Sequence, residues 1–106
     1  MARESIIELL KIYIQLLRNE GVRIDKAFLY GSYLTGNQTE ESDIDLMLVS
    51  DQFDVSNDLL AGKIWALTRN VNSKIEPFII GSKKFANDKI SPIIQIVKKE
   101  GLEITC

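Results

Sequence analysis

The sequence predicts an α/β (α+β) domain in which a small mixed β-sheet of three to four strands has helices packed mainly on one face. Segments with apolar residues at helical spacing alternate with short apolar runs typical of strands, and polar or glycine-containing stretches separate them. The predicted order, helix-strand-short helix-strand-helix-strand-helix-strand, is typical of a mixed sheet with packed helices. With 106 residues, the chain is expected to form one domain, 1–106.

Amphipathic spacing predicts the two longest helices. The first covers about residues 5–19, where Ser5 and Glu8 form a capping-box pattern. The second covers about residues 54–71, with Ser56 as its predicted cap. Both segments have an apolar face that a sheet can bury.

Short apolar runs predict the strands, at about residues 24–30, 43–49, 73–80 and 102–105. Pro77 interrupts the third strand and cannot donate to a ladder, so that strand is expected at an edge or a bulge. One short helical turn is predicted at residues 31–36, and a polar loop at 37–42. The last helix is expected at about residues 91–99.

Composition excludes several kinds of chemistry. The chain has no histidine, which excludes histidine general bases and most zinc sites. Its one cysteine, Cys106, cannot form an internal disulfide, which favours a cytoplasmic location. A net charge of −2 argues against a dedicated nucleic-acid binder, and no apolar run is long enough for a membrane span. We therefore expect chemistry based on carboxylates, hydroxyls, basic side chains and a hard metal ion.

The most informative segment is a glycine-serine pair followed, ten residues later, by two aspartates. Gly31 and Ser32 follow an apolar run and are expected where a strand turns into a helix, a place where backbone N–H groups bind anions. Asp43 and Asp45 are two residues apart, so on a strand both carboxylates point to one face. Carboxylates beside a phosphate cradle are what a Mg²⁺-nucleotide site requires.

Each element alone also occurs in ordinary turns, and Gly81-Ser82 is predicted to be only a turn. However, the strand that starts at Asp43 is apolar on both faces, and a buried strand does not begin with two carboxylates unless they are paired or bound to metal. Glu76 is the only acid in the third strand. It is either an edge charge that prevents aggregation or a third carboxylate facing the two aspartates.

These elements and their flanking residues resemble the signature of the minimal nucleotidyltransferases of the DNA polymerase β-like superfamily. The residues that carry the resemblance are Gly31, Ser32, Ser42, Asp43, Asp45 and Leu46. The resemblance covers about residues 5–105 and is nearest in pattern to the antitoxin-type members that pair with HEPN-domain toxins. It implies a polymerase β-like nucleotidyltransferase core.

The resemblance also implies a reaction and a set of roles. One or two Mg²⁺ ions and ATP would bind, and AMP would pass to a hydroxyl, a tyrosine of a HEPN-type toxin, so that the protein acts as the antitoxin. The implied catalytic and metal-binding residues are Asp43, Asp45 and Glu76. The implied nucleotide-binding residues are Gly31, Ser32, Tyr33 and Ser42.

Two positions depart from the family pattern. Thr35 stands where many relatives have a basic residue, and Glu76 stands where most have Asp. Lys63 or Lys74 would supply the missing charge, unless both are solvated, and Tyr33 either stacks on a base or packs in the core.

Two alternatives remain open, and these departures favour the first. The first is a non-catalytic antitoxin or nucleotide-binding module that neutralises a helical partner by direct binding. The second is a small-molecule (antibiotic-type) nucleotidyltransferase. No direct nucleic-acid or membrane contact is expected, and homo- or hetero-oligomers are both compatible with the sequence.

Overall fold

A four-stranded mixed sheet organises the computed structural model, which describes residues 2–106. The strands are β1 Lys26–Tyr30, β2 Ile44–Ser50, β3 Ile75–Gly81 and β4 Leu102–Glu103. The helices of the described residues are α1 Arg3–Asn19, α2 Ser32–Thr35, α3 Asp58–Leu67, α4 Ser82–Asn87 and α5 Pro92–Glu100. None of these helices has the length and apolar character that a membrane crossing requires.

The sheet has the order β3-β2-β1-β4. The strands β2 and β3 are parallel, whereas β1 is antiparallel to both of its neighbours. The predicted α/β fold with a mixed sheet is therefore confirmed. Because β3 is an edge strand, it accommodates Pro77 without the loss of an internal ladder bond.

The two faces of the sheet hold separate apolar clusters. In β2, Leu46 and Leu48 pack on the side of α1 and α3, whereas Met47 and Val49 pack on the side of α4 and α5. Side chains alternate along a strand, so this division assigns every strand residue to one face. The two longest helices cover one face, which we call the α1/α3 face. The shorter α4 and α5 cover part of the other, which we call the α4/α5 face.

A buried hydrogen bond links the two helices of the α1/α3 face. Tyr13 on α1 is fully buried, and its hydroxyl donates to the carbonyl of Ile64 on α3 at 2.7 Å. The predicted capping box at Ser5 and Glu8 is wrong, because α1 begins two residues earlier, after Ala2, and no side chain caps it.

The predicted helix at 54–71 is divided in the structure. A short 3₁₀ helix occupies Asp51–Asp54, α3 follows, and a second 3₁₀ turn occupies Thr68–Asn70. The N-cap of α3 is Asn57 rather than Ser56, and its side chain accepts the N–H three residues later at 3.0 Å. This cap starts α3 after an extended linker, so one continuous helix does not form.

Gly81-Ser82, predicted to be only a turn, is the start of α4. Two carboxylates from distant parts of the chain hold this start. The N–H of Lys83 donates to Asp54 Oδ1, and the hydroxyl of Ser82 donates to Asp25 Oδ2, both at 3.1 Å. The helix therefore depends on tertiary contacts that its own six residues do not reveal.

Candidate active site

The first element of the site is the turn that joins β1 to α2. Gly31 has φ +81°, a conformation that L side chains rarely adopt. A Cβ at this position would collide with Oδ2 of Asp45. The glycine therefore lets the backbone of the turn lie directly against a carboxylate of β2.

The start of α2 has unused hydrogen-bond donors. No side chain caps this helix, and within residues 2–106 no protein acceptor is found for the N–H groups of Ser32 and Tyr33 or for the Ser32 hydroxyl. The first N–H groups of a helix have no partner in the helix itself and bind anions readily. The Gly31-Ser32 turn is thus chemically suited to hold phosphate oxygens.

The three predicted carboxylates lie on one face at one end of the sheet. Asp43 immediately precedes β2, and Asp45 is its second residue. Glu76 of β3 lies opposite Asp45 in the parallel register, so their side chains share a face. This is the α4/α5 face, since Asp45 alternates in phase with Met47 and Val49.

The electrostatics of this end of the sheet show that the carboxylates interact. Burial and, second, the negative charge of Asp43 raise the pKa of Asp45 above its ordinary value. The pKa of Glu76 is also raised, first by burial, then by the charge of Asp43 and a hydrogen bond with it, and last by the charge of Asp45. Like charges placed together disfavour full ionisation, and a bound cation would relieve that repulsion.

The donor set fits Mg²⁺ in kind, because every candidate ligand is a carboxylate oxygen. Across residues 2–106, however, no three acidic or thiol side chains converge into a preformed metal cluster. Glu76 lies near Asp43, and Asp45 lies against the turn at Gly31. A metal bound by all three carboxylates would therefore require side-chain rotation.

Tyr30 is a site residue that the sequence reasoning missed. It pairs with Asp45 in the antiparallel register of β1 and β2, so its ring lies on the same face as the carboxylates. Burial, followed by the charges of Asp45 and Glu76, raises its pKa to about 12. Its position directly before Gly31 was the available signal, but only the strand register shows which side chain it faces.

Two predicted nucleotide-binding side chains are engaged elsewhere in the structure. Tyr33 is 4% exposed and packs in the apolar cluster of the α1/α3 face, so its side chain belongs mainly to the core. Ser42 accepts the N–H of Thr39 at 2.8 Å and stabilises the loop that precedes β2. Both side chains therefore have contacts within the protein.

Comparison with known protein families identifies the fold and its chemistry. Residues 11–90 match the family described as Polymerase beta, Nucleotidyltransferase. The chain belongs to this family. The sequence-predicted nucleotidyltransferase superfamily is thereby confirmed.

Two individual proteins are similar to this nucleotidyltransferase. Over 63 residues, 58% of this chain, it is 40% identical to a Methanocaldococcus jannaschii protein named "Putative protein adenylyltransferase". That match spans 63% of the relative's length. A crystal structure described as "a putative nucleotidyltransferase from Sulfolobus solfataricus" has a TM-score of 0.63 over 95% of this chain and 80% of that chain, at 13% identity. This second likeness shows a shared fold.

The structure also places the two lysines considered as replacements for the basic residue missing at Thr35. Lys63 of the nucleotidyltransferase lies on α3, where its ammonium donates to the carbonyl of Glu20 at 2.8 Å, remote from the carboxylates. Lys74 immediately precedes β3, and its ammonium donates to the carbonyl of Glu40. Only Lys74 is therefore next to the carboxylate end of the sheet.

Proposed function

We propose that this nucleotidyltransferase transfers AMP from Mg²⁺-ATP to a tyrosine hydroxyl of a HEPN-type helical toxin and so acts as its antitoxin. The observation that carries the proposal is the placement of Asp43, Asp45 and Glu76 on one face beside the uncapped Gly31-Ser32 turn. The name of the archaeal relative supports transfer of an adenylyl group to a protein. The toxin partner rests on the resemblance to antitoxin-type members.

The turn at Gly31 is the proposed triphosphate-binding element. The N–H groups of Ser32 and Tyr33 and the Ser32 hydroxyl would donate to phosphate oxygens that carry negative charge. Each of these donors lacks a protein acceptor in residues 2–106, so binding breaks no hydrogen bond within the protein. The nucleotide would then lie over the end of the sheet where the carboxylates are.

The carboxylates would hold the metal and accept the proton. Mg²⁺ held by Asp43, Asp45 and Glu76 would neutralise charge on the triphosphate and lower the pKa of the acceptor hydroxyl. The acceptor oxygen forms a bond to the α-phosphorus while the bond from that phosphorus to the β-bridging oxygen breaks, so pyrophosphate leaves. Glu76, exposed on the edge strand β3, would be the carboxylate that takes the hydroxyl proton.

The acceptor is proposed to come from a second protein. Asp43 and Glu76 are exposed, and Glu76 lies on the edge strand β3, so a group presented by another protein can reach their carboxylates. Tyr30 is half-buried on the carboxylate face and provides an apolar floor for the reacting groups. A tyrosine presented by a helical partner would complete the site from the solvent side.

Thermal unfolding with and without nucleotide tests the binding site. Mg²⁺-ATP at about 100 times its Kd should stabilise the native protein by about 2.7 kcal/mol. The Asp43→Asn/Asp45→Asn double variant should lose this shift, whereas Glu103→Gln, an exposed acid on β4, should keep it. A wild-type protein with no Mg²⁺-dependent shift would contradict the proposal.

Label transfer tests the reaction. ATP labelled at the α-phosphate should label the partner protein, whereas label at the γ-phosphate should leave with pyrophosphate. Replacement of the acceptor tyrosine by phenylalanine should abolish labelling.

A second candidate is a non-catalytic antitoxin that neutralises its partner by direct binding. The absence of a preformed three-carboxylate cluster in residues 2–106 favours it. It predicts that the Asp43→Asn/Asp45→Asn variant binds and neutralises the toxin as well as the wild type does. Loss of neutralisation with retained binding would instead support catalysis.

A further inference from the structure

We propose that Lys74 is a triphosphate-binding residue of this site and supplies positive charge to it. The inference rests on the proposed nucleotide site and names one further residue in it. The ligand class is a nucleoside triphosphate. Lys74 would bind its β or γ oxygens and would contribute little to a monophosphate.

The backbone places Lys74 at the carboxylate end of the sheet. Its carbonyl accepts the N–H of Ile44 at 2.8 Å, which extends the parallel pairing of β2 and β3 by one step. This bond aligns Lys74 with Asp43. Lys74 lies in the turn that immediately precedes β3, two residues before Glu76.

The side chain of Lys74 is held by a single neutral acceptor. Its ammonium donates to the carbonyl of Glu40 in the loop before β2, and within residues 2–106 it forms no ion pair with a carboxylate. It borders a pocket of about 640 Å³ together with Tyr33, Gln38 and Thr39. An ammonium held by a carbonyl gains more from an anionic phosphate oxygen, since a charge-assisted hydrogen bond is stronger.

Other basic side chains near the site are less suited to this role. Lys63 is paired with Glu20 on the α1/α3 face, at 3.9 Å from its carboxylate. Arg3 donates to the carbonyl of Leu34 at 2.6 Å, which is at the C-terminal end of α2. The proposed phosphate donors are at the opposite end of α2. Lys74 also has a flexible four-carbon stem, so its ammonium can leave the Glu40 carbonyl for a stronger acceptor.

The test measures ATP and AMP affinity by competition against a fluorescent ATP analogue in Mg²⁺. Lys74→Gln should weaken ATP binding by about tenfold or more, because a hydrogen bond to a charged group is lost. It should weaken AMP binding by less than about threefold, since the lost contact is to the outer phosphates. Lys74→Arg should keep most of the ATP affinity, and Lys63→Gln should match the wild type.

Each result has a definite meaning. Unchanged ATP affinity in a folded Lys74→Gln protein overturns the role of Lys74 and leaves the proposed function intact. Equal losses for ATP and AMP also overturn it, because Lys74 would then only hold the Glu40 loop. If the wild type binds no ATP, both the proposed function and this inference fail. Thermal unfolding of each variant verifies that it is folded, and Lys74→Arg provides a second, conservative variant.

Discussion

The chain contains two glycine-serine turns that lead from a strand into a helix, and their surroundings differ. At Gly81-Ser82, the Ser82 hydroxyl donates to Asp25 and the start of α4 is capped by Asp54. At Gly31-Ser32, the hydroxyl and the first N–H groups of α2 have no acceptor in the described part of the chain, residues 2–106. The same dipeptide is thus satisfied by the protein in one place and available to a ligand in the other.

The nearby carboxylates explain this difference. Asp54 lies where it can accept a hydrogen bond from the N-terminus of its helix, so it acts as a cap. Asp45 lies against Gly31 but makes no such bond, and it interacts with other acids instead. An acid that stabilises its helix has a structural role, whereas an acid that is repelled by its neighbours indicates a functional site.

The largest expected contrast comes from alanine at the two glycines. Gly31→Ala should lower transfer activity about 100-fold or more, because the φ of +81° resists a side chain and the Cβ would displace Asp45. Gly81 has φ −67°, and its Cβ would approach Asp54 Cα at 2.9 Å. Gly81→Ala should therefore lower the unfolding free energy by about 1–3 kcal/mol. Activity per folded molecule and urea unfolding measure the two effects.

Equal specific activity of the two alanine variants would contradict the comparison. Both turns would then have only a structural role, and the Gly31-Ser32 turn would not contribute to catalysis. A double variant should show additive effects, since the turns belong to different elements.

Alanine substitutions of the two serines should also have different effects, each smaller than the effect of alanine at the preceding glycine. Ser32→Ala should raise the Kd for ATP about tenfold through loss of a charge-assisted hydrogen bond, with little change in stability. Ser82→Ala should lower the unfolding free energy by about 1 kcal/mol, because Asp25 loses a donor, and should leave ATP affinity unchanged. A loss of ATP affinity in Ser82→Ala alone would show that the two turns had been assigned the wrong way round.

The local part of the site could be predicted from the sequence. The pair Gly31-Ser32 and the spacing of Asp43 and Asp45 depend only on the strand period and on turn chemistry. The local sequence could not place Glu76 on the strand next to Asp45, because that placement depends on the order of the strands. The family resemblance implied this order. The parallel register of β2 and β3 then puts Glu76 opposite Asp45.

The parts that could not be predicted depend on tertiary contacts. The position of Tyr30 beside Asp45 follows from the register of β1 against β2, which no local pattern specifies. The helix α4 depends on Asp54 and Asp25, which are far away in sequence. Ser42 fits the family signature, but its hydroxyl is used by its own loop.

The two aspartates beside the turns should have opposite effects on stability. In the absence of Mg²⁺, Asp45→Asn should raise the unfolding free energy by about 0.5–1 kcal/mol, because it removes first the cost of burying a carboxylate and second the repulsion from Asp43, both reduced by solvent at this partly exposed side chain. Asp54→Ala should lower it by about 1 kcal/mol through loss of the helix cap. Urea unfolding at neutral pH measures both. A destabilised Asp45→Asn variant would mean that Asp45 is a structural residue like Asp54.

The smallest effect is the pH dependence of the stability gained in Asp45→Asn. The pKa of Asp45 is raised in the folded state, so the native protein binds this proton more tightly than the unfolded chain does. The cost of keeping Asp45 ionised is therefore fully present above its folded pKa and disappears as the pH falls below the ordinary value near 4. The difference in unfolding free energy between variant and wild type should be largest near pH 7 and approach zero only as the pH falls below about 4. Addition of Mg²⁺-ATP at pH 7 should make the wild type more stable than the variant, because only the wild type gains binding energy. A gain that increased towards low pH would mean that Asp45 is stabilised as a carboxylate, and the contrast with Asp54 would then be lost.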